Sequence, residues 1–216
     1  MPPTVLAVLG GTSAVGREVV RQAVMAGNVV NVLSRSRSRA AELGEQVTFI
    51  AGDATDAAAV DRAIAPAEAV ISLLAQTSRP LPSLLTSAMA NAIAAMQRHD
   101  VSRIVVLSNL TVRAEDDSPT ARQQLLSALA RISQKNAHGD HRAHIGLLTA
   151  SELDWTVVRA PAIVDRAASG RYRVGGLDAT TGPEMGRADL AAFVLRCAVS
   201  GRHIRQMPVV SQPSRD

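Results

Sequence analysis

Val8-Leu9-Gly10-Gly11-Thr12-Ser13-Ala14-Val15-Gly16 is the stretch that decides the fold. It closes a β-branched and aliphatic run, Thr4–Leu9, and opens a helical pattern, Ala14–Ala26, with Val15, Val19, Ala23 and Ala26 on one face. A glycine turn between strand and helix lets backbone approach a phosphate, and the helix N-terminus offers free N–H groups and partial positive charge. Gly10 makes the tight turn, and Gly16 brings helix close to strand. Ser13 replaces the middle glycine of the usual fingerprint; its Cβ stands where backbone would approach the phosphates, and its hydroxyl is a donor. The segment from Gly10 to Gly16 (Gly10, Gly11, Thr12, Ser13, Ala14, Val15, Gly16) is therefore the candidate pyrophosphate cradle.

Outward from this turn the same alternation repeats. Strands are expected at Val29–Leu33, Val47–Ala51, Ala69–Leu74, Arg103–Leu107, Trp155–Arg159 and Gln206–Val210. Helices are expected at Ser36–Leu43, Asp56–Ile64, Pro82–Arg98, from Ser118 with Pro119 in its first position, at His141–Ala150 and at Arg187–Val199. Strands and helices in this order give βαβ units, hence a Rossmann-type α/β domain: a doubly wound parallel sheet with helices on both faces. The 216 residues suit one domain. Its pocket is expected from the segments after strands four to six, about 75–82, 108–145 and 160–186. Two polar stretches there, Arg113–Asp117 and Asn136–His144, read as the mobile parts.

Apolar residues make up 47% and aromatics only 2%, so the core is built of Ala, Val, Leu and Ile. The net charge of +4 is carried by arginine, Lys135 being the sole lysine. The arginines are scattered and no aromatics interleave with them, which speaks against nucleic acid and for a small anionic ligand. A single cysteine, Cys197, sits in an apolar helical pattern and reads as a buried thiol. No signal segment and no membrane span is visible, so a cytoplasmic monomer or homodimer is the expectation.

The second strand ends in Leu33-Ser34-Arg35-Ser36-Arg37-Ser38-Arg39. An acidic residue there would bind the ribose hydroxyls of NAD; arginine suits the 2′-phosphate of NADP(H). Arg35, with Arg39 as a second contact, points to NADP(H), a solvated basic helix start being the other reading.

The chain resembles the atypical short-chain dehydrogenases/reductases, in the NmrA-like, NAD(P)-binding branch that includes flavin reductase/biliverdin reductase B. The likeness spans nearly the whole chain. Beyond the loop it rests on Gly52-Asp53-Ala54-Thr55-Asp56, on Arg103-Ile104-Val105-Val106-Leu107-Ser108, on Ser151 through Pro161 and on Asp189 through Cys197. It implies that Asp53 contacts adenine and that Ala54 lines the pocket. Leu74, Ala75, Gln76 and Pro161 complete the candidate cofactor contacts. Asp140-His141-Arg142-Ala143-His144 is similar to the family's segment carrying the active-site histidine, matched here by His141. Ser108 or Asn109 matches its serine, and Asn109 departs from the family pattern.

Ordinary short-chain dehydrogenases use a Tyr-x-x-x-Lys pair. Tyr172 is the sole tyrosine and Lys135 precedes it in another segment, so that pair is absent. Two functions remain open. One is an NADPH-dependent reductase passing hydride to a conjugated acceptor such as a flavin, quinone or linear tetrapyrrole, with His141 positioning substrate or relaying a proton. The other is a non-catalytic NADP(H)-binding redox sensor or regulator of NmrA type. His138 and His144 read as solvated, and no metal site is expected.

Overall fold

The computed structural model describes residues 3–38, 43–44, 46–75, 83–125, 128 and 135–213. Its strands are β1 (Val5–Leu9), β2 (Val29–Ser34), β3 (Val47–Ala51), β4 (Ala69–Ser72), β5 (Arg103–Asn109), β6 (Asp154–Ala160), β7 (Ala162–Val164), β8 (Arg173–Gly175), β9 (Glu184–Gly186) and β10 (Val209–Ser211). The helices are α1 (Ala14–Met25), α2 (Ala57–Ile64), α3 (Leu84–Arg98), α4 (Lys135–Thr149) and α5 (Arg187–Ser200). The main sheet runs β3-β2-β1-β4-β5-β6-β10-β8. All its pairs are parallel except β10 with the edge strand β8.

Alternate side chains of each central strand enter two separate cores. Leu6 and Val8 of β1 face Val19, Val20 and Ala23 of α1 and Leu190 and Val194 of α5. Ala7 and Leu9 face Val60 and Ile64 of α2, Met89 and Met96 of α3 and Leu148 of α4. Continuous apolar strands buried on both faces are what a parallel sheet between two helical layers requires. The doubly wound architecture expected from the sequence is the one observed.

Several boundaries differ, each for a physical reason. The helix after Ser118 does not begin there. Ser118 donates its N–H to the Leu177 carbonyl (2.9 Å), and residues 121–125 are helical instead. Thr120 caps them: Gln123 N donates to Thr120 Oγ1 (3.3 Å) and Thr120 N to Gln123 Oε1 (2.8 Å), a capping box. Leu126, Leu129 and Ile132 of that expected helix lie outside the described residues, as do residues 39–42 of the helix expected at Ser36–Leu43. The segment Asn136–His144, expected to be mobile, belongs to α4, which starts six residues before His141. In Arg113–Asp117, expected to be mobile, Glu115 and Asp116 are exposed while the Asp117 side chain is only 3% exposed. Three-residue strands β7, β8 and β9 carry too few residues to show a period and were not expected.

Candidate functional site

Every loop that meets at the site leaves the C-terminal edge of the sheet, where an open α/β sheet binds ligands. Gly10 follows β1 with φ +84°, and a Cβ there would stand 2.9 Å from the Leu73 carbonyl oxygen. A Cβ at Gly16 would stand 2.3 Å from the Gly10 oxygen, and one at Gly11 2.8 Å from Val32 Cγ1. At Gly10 and Gly16 a Cβ would need backbone to shift, and at Gly11 it would need the Val32 side chain to give way. Ser13 has extended geometry (φ −70°, ψ 167°) and caps α1, its Oγ accepting from Gly16 N at 3.0 Å. The hydroxyl retains its own hydrogen for donation. The first-turn amides of Ala14 and Val15 meet no acceptor among the described residues.

Above this loop lies a cavity of about 180 Å³. Of the residues expected to hold a dinucleotide, Gly10, Thr12, Arg35, Asp53, Ala54, Leu74 and Ala75 line it. Leu33, Ser34, Ser36, Gly52 and Leu84 line it as well and were not foreseen; Ser34 is held by Thr12, their hydroxyls 3.4 Å apart. Gly11, Ser13, Val15 and Gly16 form the turn beneath, while Ala14 faces an outer groove along α1. Arg39 and Gln76 lie outside the described residues. The Arg35 guanidinium is 66% exposed and 3.5 Å from Asp53 Oδ2. Thr55 donates its N–H (2.9 Å) and hydroxyl (2.8 Å) to Asp53 Oδ1. Those bonds, the backbone one foremost, hold the Asp53 carboxyl below the ordinary range against its partial burial, with help from Arg35.

A second cavity of about 780 Å³ opens beyond β5 and β6. Asn109, Leu110, Thr111 and Pro161 line it together with the loop before β9, so Pro161 stands here rather than in the cleft above the glycine turn. Ser108 and Asn109 have separate parts. Asn109 Oδ1 accepts from the Thr111 N–H (2.9 Å) and hydroxyl, closing a local turn. Ser108 is 7% exposed, with its Oγ 2.9 Å from His141 Nε2 on α4. The His141 ring meets that of His144 edge-on, with centroids 4.8 Å apart. His144 is not solvated as expected but 3% exposed, its Nδ1 3.3 Å from the Asp140 carbonyl oxygen. Burial pushes its pKa down, opposed by that bond and by the Asp140 charge. The side chain of His138 lies outside the described residues. Among the described residues no cluster of three His, Cys, Asp or Glu is placed to hold a metal ion.

Three supports escaped the sequence reading. Arg159, wholly buried at the end of β6, donates to both Asp117 oxygens at 2.6 and 2.9 Å, and to the carbonyls of Met207 and Val112. Asp117 also accepts from Ala114 N and Leu177 N. Burial pushes the Asp117 carboxyl up, but the Arg159 and backbone bonds outweigh it and leave the pKa lowered. Asp140 accepts from Leu85 N (2.8 Å) and Thr86 N (2.9 Å), capping α3 from α4. Asp189 collects the N–H groups of Ser169 and Gly170, the Ser169 hydroxyl and the Gln212 amide. Cys197 is buried as expected, and burial pushes its thiol up to about 11.

A parallel sheet with a glycine cradle at a helix N-terminus defines a Rossmann-type dinucleotide-binding domain. The chain belongs to the NAD(P)H-binding family, whose model matches residues 10–200. Solved structures share the fold at low identity. ChuY, an anaerobillin reductase from Escherichia coli O157:H7, is 22% identical with a TM-score of 0.81, covering 99% of each chain. A short-chain dehydrogenase/reductase from Veillonella parvula in complex with NADP is 16% identical with a TM-score of 0.78, covering 98% of this chain and 95% of its own. A Rossmann-fold NAD(P)-binding family protein from Shigella flexneri is 19% identical with a TM-score of 0.75, covering 100% and 96%. No helix among the described residues is long and apolar enough to cross a membrane.

Proposed function

We propose that this protein is an NADPH-dependent reductase acting on a conjugated acceptor such as a flavin, a quinone or a linear tetrapyrrole. The observation that carries the reading is the contact of Ser108 Oγ with His141 Nε2 at 2.9 Å at the C-terminal end of β5, where the next residue, Asn109, lines a cavity of about 780 Å³. NADPH, when bound, supplies the hydride. The loop from Gly10 to Gly16 takes the pyrophosphate on the free amides of Ala14 and Val15, and the glycine positions keep side chains out of its way. Arg35, exposed on the rim and only loosely held by Asp53, takes the 2′-phosphate. Asp53, Ala54, Leu74 and Ala75 wall the adenosine and nicotinamide halves; Pro161 and Asn109 face the acceptor.

A conjugated ring delocalises the charge that hydride brings, so the reaction needs one proton and no Tyr-Lys pair. Imidazole changes charge near neutral pH. His141 holds that proton, Ser108 fixes the ring through Nε2, and the proton ends on the reduced acceptor. That an overall structural neighbour is an anaerobillin reductase supports the acceptor class.

The test follows NADPH absorbance with purified protein and a panel of FMN, riboflavin, a benzoquinone and a linear tetrapyrrole. Oxidation of NADPH by at least one of them, and a fall in kcat of about tenfold to a hundredfold in His141→Ala, is the expected result. Tight NADPH binding without oxidation across the panel is the behaviour of a sensor and overturns the reductase. NADPH is expected to bind more tightly than NADH, with the difference reduced in Arg35→Ala; equal affinities in the unaltered protein overturn the cofactor assignment.

A further inference from the structure

Gln212 follows β10 directly and is 3% exposed, so its amide and backbone groups must find partners inside the protein. Its N–H donates to the Glu184 carbonyl at 2.8 Å. Its side-chain Oε1 accepts from Gly186 N at 2.9 Å and from Arg166 Nη1 at 3.1 Å. Nε2 donates to Asp189 Oδ2 at 2.7 Å and to Ser169 Oγ at 3.1 Å. These partners fix which end of the amide is which, because a carboxylate only accepts and a backbone N–H only donates. One side chain thus joins β9, the loop after β7 and the first turn of α5, in a network whose members are satisfied and therefore rigid. The same segment lies flat against the cavity beyond β5 and β6. A Cβ at Gly182 would collide with the Gln212 carbonyl oxygen, and Gly182 N donates to Ser211 Oγ at 3.0 Å. Gly182 and Pro183 line that cavity, with Ala179 and Thr181 before them. The front of this wall is fastened by Leu177 N to Asp117 and by Arg173 to Asp178, and its rear by Ser211 and Gln212.

We propose that Gln212 is a positioning residue for the acceptor, holding residues 179–183 where they wall the acceptor cavity. The inference rests on the reading of this cavity as the acceptor site. Gln212 itself lines neither this cavity nor the one above the glycine loop, so it acts through Gly182 and Glu184. Neither a shorter nor a charged side chain can replace it. Alanine leaves the amide of Gly186 without its acceptor, and a buried donor without a partner must move or admit water. Glutamate sets a second carboxylate against that of Asp189, which is 2% exposed. The glycine loop and the Ser108–His141 contact stand on other elements. A displaced wall therefore weakens the hold on the acceptor and leaves the cofactor and the chemical step in place, which is a change in KM rather than in kcat.

Two readouts on the full chain test this. The first is steady-state kinetics with whichever of FMN, riboflavin, a benzoquinone or a linear tetrapyrrole the unaltered protein reduces fastest. The second is amide hydrogen exchange. Gln212→Ala is expected to raise the acceptor KM about three- to tenfold, the cost of ordering a loosened wall on binding, with kcat and the NADPH KM changed by less than about twofold. Exchange at residues 179–186 should quicken while exchange at residues 10–16 stays as it was. Gln212→Glu should raise the acceptor KM as well. Adding Asp189→Asn to it restores an N–H···O contact between the two side chains and should return KM towards the parent value. Should Gln212→Ala fail to fold, Ser211→Ala removes only the acceptor of Gly182 N and is expected to give a smaller rise in the same KM. Unchanged KM, with or without faster exchange, overturns the proposal, since a mere staple would alter stability alone. So does a parallel change in kcat and both KM values, or a double variant that recovers nothing. If no compound is oxidised, the reductase reading falls, and dissociation constants of the same compounds on NADP+-loaded protein replace KM. A rise in them in Gln212→Ala then upholds the positioning role; equal binding to parent and variant, or binding of none, overturns it.

Discussion

The C-terminal edge of the sheet is built in two ways. On the β1–β4 side the site is made by backbone. Gly10, Gly11 and Gly16 leave no room for a Cβ, and Ser13 caps α1 by a bond that spans three residues. On the β5–β6 side the site is made by buried side chains that reach far along the chain. Asp117 ties Arg159, 42 residues on, to the amide of Leu177, 60 residues on. The first half is specified by what is missing from each residue, the second by charges that must find each other. The two should therefore fail differently: the glycine half in ligand affinity, the charged half in stability.

The largest expected effect lies in the charged half. Asp117→Ala leaves the fully buried Arg159 guanidinium without its carboxylate, and removing one partner of such a pair costs about 3–5 kcal/mol. Chemical denaturation should show that loss, with NADPH affinity of the folded fraction little changed. The pair also has a pH signature. Asp117 has a lowered pKa in the folded protein, so its contribution is complete above the ordinary carboxyl value near 4 and is lost as pH falls through the lower folded value. The unaltered protein should lose stability over that acid window, and Asp117→Asn should be flatter there. An Asp117→Ala protein as stable as the parent would show the pair to be dispensable.

Next comes Gly16→Ala in the cradle. The added methyl meets the Gly10 oxygen at 2.3 Å and the Gly11 backbone at 2.7 Å, so the turn must open. NADPH affinity is expected to fall at least a hundredfold, or about 2.8 kcal/mol, in a titration of cofactor fluorescence. Gly27→Ala is the control. Gly27 also has positive φ (+81°), but a Cβ there touches nothing. It should cost about 1–2 kcal/mol of stability and leave affinity alone. If both variants bind NADPH as the parent does, the loop is only a tight turn.

The same contrast explains what the sequence disclosed. β3 was legible to the residue, and α1 and α5 to within a residue, because their apolar periods are local properties of the chain. Gly10, Gly16 and Arg35 were legible because a strand-turn-helix context gives their positions meaning. The Ser108–His141 contact was reached only through a family likeness that left Asn109 open, and no spacing rule joins residues on different elements. Arg159 and Asp117 look like two ordinary charges in sequence; their pairing depends on where β6 ends relative to the loop after β5. The capping box at Thr120 was the one local signal overlooked, since Ser118-Pro119 imitates a helix start just before it.

Asp140 joins the halves. Ser83 stands at the head of α3 with a left-handed backbone (φ 61°) and no side-chain cap, so the orphan amides of Leu85 and Thr86 depend on the carboxylate from α4. Leu84, beside them, lines the cavity above the glycine loop, and His141 follows Asp140 directly on α4. One carboxylate thus ties the head of α3 to the helix that carries His141. Asp140→Ala is expected to cost about 1–2 kcal/mol of stability, the worth of a good helix cap. Asp140→Asn, which keeps one acceptor oxygen, should recover much of it. Because a staple alone would change only stability, the deciding measurement is the pH profile of NADPH oxidation. If Asp140 places His141, the acid-base limb that disappears in His141→Ala should shift in Asp140→Ala and return in Asp140→Asn. An unshifted profile alongside the lost stability would reduce Asp140 to a helix cap and leave the positioning of the histidine to Ser108 and the other contacts of its ring.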